Sequence, residues 1–184
     1  MLLLNICTYA TYLAILIIVM AMGLTVGMDR NISTRQMFQF SAINMLIINL
    51  FCFAGIGLAL LFNQAEMAFM GGLLILVAGY TTFKKGGKSN AFVLSIDTQS
   101  AKYFAFANVA IGISLMLATF GLRLSNAFPW LVAIGFIPLC FVVHFISIKC
   151  GKNIRTINTI KIFMLISGIL LFLVGLALFI QVWK

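Results

Sequence analysis

Charge is what this chain lacks. Of its 184 residues only 8% are Asp, Glu, Lys or Arg, where a soluble domain carries roughly 25%. Hydrophobic residues make up 64%, and the mean hydropathy is +1.19. So few charges cannot cover a water-facing surface, which excludes a soluble domain and leaves an integral membrane protein. Acids are the scarcest of all: Asp29, Glu66 and Asp97 are the only three, and each stands outside the apolar runs. Paired-carboxylate acid–base chemistry inside the membrane is thereby excluded. The single histidine, His144, has no intramembrane acid to orient it, so a Ser-His-Asp arrangement fails as well. Neither an enzymatic activity nor a cofactor is expected. The four cysteines, Cys7, Cys52, Cys140 and Cys150, form no CxxC and no metal-ligand spacing. They are expected as small apolar residues in or beside helices. No basic segment precedes the first apolar run, since the first charge is Asp29. That run is therefore expected to stay as a helix and not to be cleaved as a signal.

What the chain does have is apolar length. A helix needs about 20 apolar residues to cross the hydrocarbon, and six runs qualify: Ile6–Met28, Met37–Phe62, Met67–Phe83, Tyr103–Leu122, Trp130–Ile148 and Ile162–Val182. The expected architecture is all-α, a polytopic bundle of six transmembrane helices forming one membrane domain, 1–184. Net charge is +9, but no basic run interleaved with aromatics marks a nucleic-acid surface. The positive residues sit between the apolar runs instead. Arg30, Arg35, Lys84, Lys85, Lys88, Lys102, Lys149, Lys152, Arg155 and Lys161 fall on one set of alternate loops, leaving only Arg123 and Lys184 on the other side. Positive loops mark the cytoplasm, so both termini are expected outside.

The chain also says one thing twice. Leu16–Gly27 reads L-I-I-V-M-A-M-G-L-T-V-G, and a shift of 96 residues lays Met20 on Met116 within G-I-S-L-M-L-A-T-F-G-L. At the same offset Gly55 meets Gly151, Gly72 meets Gly168 and Gly79 meets Gly175. The reading is a repeat, about 1–88 and about 103–184, joined by a linker at about 84–102 that opens on the basic turn K-K-G-G-K-S-N. Three helices per half is odd, so the second half must enter the membrane in the opposite sense. Inverted repeats of this kind recur in secondary transporters, with the substrate near mid-membrane between the halves. A six-helix bundle without transport is the plainer alternative.

Polar residues inside the runs fall on stripes. Cys140, His144, Ser147 and Gly151 share one helix face, and Ser41, Asn44, Cys52 and Gly55 share another. The offset lays Asn44 on Cys140, so the stripes are expected to face each other across the repeat axis. Asn44, Asn49 and Asn108 read equally as interhelical hydrogen-bonding residues and as substrate ligands, with Ser114 beside them. His144 is either a proton carrier or a histidine satisfied within the bundle. Met20 with Gly23 and Gly27, and Gly112 with Met116 and Thr119, occupy equivalent faces of the first and fourth runs.

The six-helix plan, the repeat, and the phrases M-G-G-L-L-I-L-V-A-G-Y and I-S-L-M-L-A-T-F-G-L resemble the small bacterial manganese efflux pumps. Those pumps share a superfamily with exporters of lysine and other amino acids. The resemblance covers nearly the whole chain through glycine and apolar spacing. It implies a bacterial plasma-membrane exporter whose first and fourth helices carry metal-binding aspartates. The matching positions here are Met20 and Met116, and the second-helix acid of the family has no counterpart near Leu46. Manganese prefers oxygen donors, whereas thioether, thiol and imidazole suit softer ions such as Cu(I). Thiol-electron transfer, also known in the superfamily, needs cysteines on helices 1 and 4, and helix 4 has none. The expectation is a metal-cation efflux transporter of manganese type with altered preference. Export of an amino acid or other small solute, and a non-transporting scaffold, are the alternatives. A soft-metal site requires Met20 and Met116 to converge with His144 or Cys140. A solute exporter requires a wider cavity lined by Asn44, Asn49, Asn108 and Ser114.

Overall fold

The computed structural model describes residues 2–28, 32–62, 64–87, 101–124, 130–151 and 157–182. Among them the chain is all-α, with six helices. These are α1 (Leu2–Gly27), α2 (Thr34–Ala59), α3 (Gln64–Gly87), α4 (Ala101–Leu124), α5 (Trp130–Gly151) and α6 (Ile157–Val182). Helices are the outcome the sequence imposes, because backbone N–H and C=O groups in an apolar surrounding must be satisfied within the segment itself. Three stretches are long and apolar enough to cross a membrane: Leu2–Gly27, Thr34–Ala59 and Asn158–Ile180. Among the described residues the other three helices contribute the apolar stretches Met70–Lys84, Ile111–Leu124 and Gly135–Gly151.

Several boundaries differ from those expected: α1 starts at Leu2 and not Ile6, and α6 at Ile157 and not Ile162. The segment Lys84–Gly87 continues α3 and does not form a turn. Lysine near a helix C-terminus is favourable toward the helix dipole, and two glycines are too few to stop a helix held by packing upstream. Arg123 likewise belongs to the last turn of α4 and not to the loop after it. Most of the expected linker, together with Asp29, Arg30 and Asp97, lies outside the described residues.

The start of α2 is fixed locally. Ser33 accepts from the Gln36 amide at 3.3 Å, and the Ser33 amide donates to Gln36 Oε1 at 2.9 Å, a capping box. Two amide groups that the helix cannot pair internally are thus satisfied. Ser33→Ala is expected to cost about 1 kcal/mol, read as a small drop in the melting temperature of the purified protein.

Packing is organised by antiparallel and parallel crossings between the first three helices and the last three. α3 lies on α6 in the most extensive contact of the fold. A Cβ on Gly79 would stand 2.6 Å from the Phe172 amide and 2.9 Å from the Gly168 carbonyl. One on Gly72 would stand 2.8 Å from the Phe179 amide and 3.1 Å from the Gly175 carbonyl. Rising number on α3 pairs with falling number on α6, so the two are antiparallel with their backbones touching. α1 runs parallel to α5, Tyr12 beside Phe136 and Gly27 beside Gly151. α2 runs parallel to α4, with Phe51 against Gly112 and Gly55 against the Phe120 amide.

The distribution of polarity is inverted relative to a water-soluble fold. The outside carries Leu46, Leu50, Ile146, Ile166, Phe172 and Leu173, all well exposed. The inside holds Thr11, Ser41, Asn44, Thr119, His144 and Ser167, each 0% exposed. Every residue from Ala21 to Gly27 is buried, so the end of α1 is enclosed on all sides. Ser167 of α6 donates to the Ala14 carbonyl at 2.8 Å, and Thr119 of α4 to the Cys52 carbonyl at 3.0 Å. Such interhelical bonds contribute roughly 0.6 to 2 kcal/mol each in an apolar medium.

Candidate functional site

A fully buried polar group lies where α2 crosses α5, beside the end of α1. Val26, Ile32, Met37, Phe40 and Ile148 form one small apolar cluster, so the start of α2 meets the end of α5 and the two run antiparallel. One turn further in, Ser41 Oγ lies 3.1 Å from His144 Nδ1. One turn beyond that, Asn44 Nδ2 donates to Met22 Sδ at 3.5 Å. Cys140 stands four residues before His144 on α5, on the same helix face. Ser41, Asn44, Met22, Cys140 and His144 are all 0% exposed.

Depth can be read from helix rise. Asn44 is ten residues into α2 and Cys140 eleven from the end of α5. At 1.5 Å per residue both sit roughly 15 Å from those helix ends, whereas His144 lies about 10 Å from the end of α5 and Met22 about 8 Å from the end of α1. Gly23 brings α1 to this level: a Cβ there would meet the His144 carbonyl and the Ser147 Cβ, each at 2.7 Å. The site combines an imidazole, a thioether, an amide and a hydroxyl, with the Cys140 thiol one turn along α5. No carboxylate is among them.

The residues expected from sequence fall into separate places. Asn44 and His144 belong to the group just described, while Cys140 is buried in the apolar core one turn along α5. Asn49 is buried but donates to the Met45 carbonyl of its own helix at 2.7 Å. Ser114 accepts from Thr81 Oγ1 at 3.2 Å, at the crossing of α3 and α4. The side chain of Asn108 lies outside the described residues. Met20 and Met116 are both half-buried, and neither belongs to the buried apolar core that contains Met22. Two residues along a helix is about 200° of rotation, so Met20 points away from the side on which Met22 meets Asn44. The backbone carbonyl of Met116, not its thioether, abuts Gly55.

Met22 is the residue that sequence reasoning missed. α1 is apolar on every face, so no periodicity separates Met20 from Met22. Gly23 and Gly27 mark the side facing α5, which is the side of Met20 and so does not single out Met22. Among the described residues no three His, Cys, Asp or Glu side chains gather as a metal-holding group. Any soft-metal set here has to count the thioether. Comparison of the chain with protein-family models, curated proteins and solved structures finds no match.

Proposed function

We propose that this chain is a plasma-membrane exporter of a soft metal cation, of which Cu(I) is the type, built from two inverted three-helix repeats. The observation that carries the reading is the buried polar group between α1, α2 and α5, where Asn44 meets Met22 and Ser41 meets His144, with the buried Cys140 one turn along α5 from His144. Polar groups held in an apolar bundle are costly and mark substrate pathways. Thioether, thiol and imidazole favour Cu(I) over the carboxylate-preferring Mn²⁺. His144 supplies one ring nitrogen to a ligand while Ser41 holds the other, the arrangement that fixes a ligating imidazole.

The inverted repeat is supported by the packing. Exchanging each helix of the first half with its counterpart 96 residues on maps the α3–α6 crossing onto itself. Gly72 against Gly175 becomes Gly168 against Gly79, and both contacts exist. The same exchange turns the α2–α4 crossing into the α5–α1 crossing. Gly55 against the Phe120 amide becomes Gly151 against the Leu24 carbonyl, again both present. Asn44 and Cys140 exchange with each other, at the place where such transporters hold their substrate. The resemblance to manganese efflux pumps fits this plan, and the donors at its centre carry the change of ion. With the basic loops cytoplasmic, export runs from the α2 N-terminal side outward.

The experiment is metal accumulation in a bacterium deprived of its own exporters. Cells expressing the chain are expected to hold less copper after a copper challenge than cells with empty vector, at unchanged manganese. Lowered manganese with unchanged copper would overturn the choice of ion. Unchanged content of both metals, with the protein present in the membrane, would overturn metal export.

A further inference from the structure

We infer that the outer groove between α3 and α6 binds an anionic phospholipid of the cytoplasmic leaflet, its acyl chain on Tyr80, Phe83, Phe172 and Leu173 and its phosphate on Lys84 and Lys161. The groove has a volume of about 300 Å³, the lower end of the range for ligand sites. Its floor is the backbone contact at Gly79 and Gly168, and its walls are apolar side chains that stand well exposed. Glycine makes the depth: without Cβ atoms at the crossing, the aromatic residues on either side rise above a trough.

One end of the trough is basic. Lys84 follows Tyr80 by four residues, so it continues the same face of α3 one turn on. Lys161 precedes Gly168 by seven residues, two turns nearer the start of α6 on the face that meets α3. Because α3 and α6 are antiparallel, both lysines come to the same end of the groove. Lys84 is exposed and Lys161 half-buried. No acid occurs in residues 67–96 or 98–184, so neither helix carries a carboxylate near that end to neutralise them. The exposed Tyr80 adds an amphipathic ring at interfacial depth. An apolar trough ending in two cations matches a diacyl lipid with a negative headgroup better than a second copy of the chain, whose own lysines would repel these.

The inference rests on the membrane placement proposed above, with Lys84 and Lys161 cytoplasmic, and is independent of which ion is carried. Retention of the chain in carbonate-washed membranes checks insertion separately, and protease access to the segment between α5 and α6 in everted vesicles checks its side. The lipid test is native mass spectrometry of the detergent-purified protein with equal amounts of dioleoyl phosphatidylglycerol and dioleoyl phosphatidylcholine. The wild type is expected to prefer phosphatidylglycerol by about thirtyfold, as two lysines near a headgroup give. Lys84→Gln/Lys161→Gln is expected to bring the two lipids close to parity, and Lys84→Arg/Lys161→Arg to keep the preference. Leu173→Trp, which fills the trough from its exposed wall, is expected to weaken both lipids alike. Equal binding of the two lipids by the wild type would overturn the inference. So would an undiminished preference in the double Gln variant, or a lipid-free dimer that Leu173→Trp dissociates.

Discussion

Gly27→Ala is expected to lower the melting temperature of the purified protein by about 6–12 °C. A Cβ at this position would run into the Ile148 carbonyl oxygen and stand 2.9 Å from both the Ile148 carbonyl carbon and the Gly151 Cα. Every one of these atoms is backbone, so no side chain can swing aside. α1 and α5 must separate, and that separation loosens the enclosed end of α1 together with Gly23 and Met22. Overpacking of a tight contact costs typically 1–3 kcal/mol, and a collision with backbone belongs at the upper end. For a chain of this length 1 kcal/mol corresponds to roughly 2–4 °C. Gly57→Ala is the control, since a Cβ there meets nothing within 4 Å. It is expected to leave the melting temperature unchanged or slightly raised, because alanine is the better helix former by about 1 kcal/mol. Equal melting temperatures for Gly27→Ala and the wild type would contradict the α1–α5 packing.

Met22→Leu and His144→Leu are each expected to abolish copper export while Met20→Leu retains it. Leucine replaces methionine at nearly constant volume, a swap that usually costs less than about 1.5 kcal/mol, so the Met22 variant isolates the sulfur. Met22 Sδ already accepts a hydrogen bond from Asn44, which shows that its lone pairs face the polar cluster. Met20 lies on the other side of the same helix. Ser41→Ala leaves every donor atom in place and removes only the group 3.1 Å from His144 Nδ1. Loss of such a supporting partner costs roughly 10–100-fold in metal affinity, so this variant is expected to export at high copper and fail at low copper. The measurement is copper retained by expressing cells across a concentration series. Export that survives Met22→Leu and is lost in Met20→Leu would move the site to the other face of α1.

Much of this architecture was legible in the residues. Six apolar runs with charges between them gave six helices, since an apolar stretch of this length has no other way to satisfy its backbone. The glycines at offset 96 also proved to be contact points: Gly72, Gly79, Gly168 and Gly175 are where α3 and α6 touch. A glycine in an apolar helix reports close approach, and that signal survives without any periodicity. The stripe of Cys140 and His144 with its partner stripe of Ser41 and Asn44 was readable for the same reason, because isolated polar residues in an apolar run choose the buried face.

Methionine gave no such signal. Met20 and Met22 are both apolar residues in a helix that is apolar all round, and only the packing of α1 distinguishes them. The spacing to Gly27 and the local S-L match single out Met20, whereas Met22 is the thioether that accepts from Asn44. Asn49 illustrates a second limit. Its amide satisfies itself on the Met45 carbonyl of its own helix, an option open to any intrahelical asparagine and invisible in spacing. Ser114 found Thr81 on α3, a partner that depends on how α3 and α4 cross. The ends of α3 and α4 were misjudged because lysine and arginine were taken as loop residues, whereas each is favourable in the last turn of a helix.

Transport in everted membrane vesicles tests the central claim most directly. Vesicles expose the cytoplasmic side outward, so an exporter loads its ion into the lumen. Cu(I), kept reduced, and Mn²⁺ would be offered separately to vesicles holding the wild type, Met22→Leu/His144→Leu or no added protein. The account predicts copper loading by the wild type alone and manganese at background in all three. Manganese loading by the wild type, or copper loading that persists in the double variant, would contradict it.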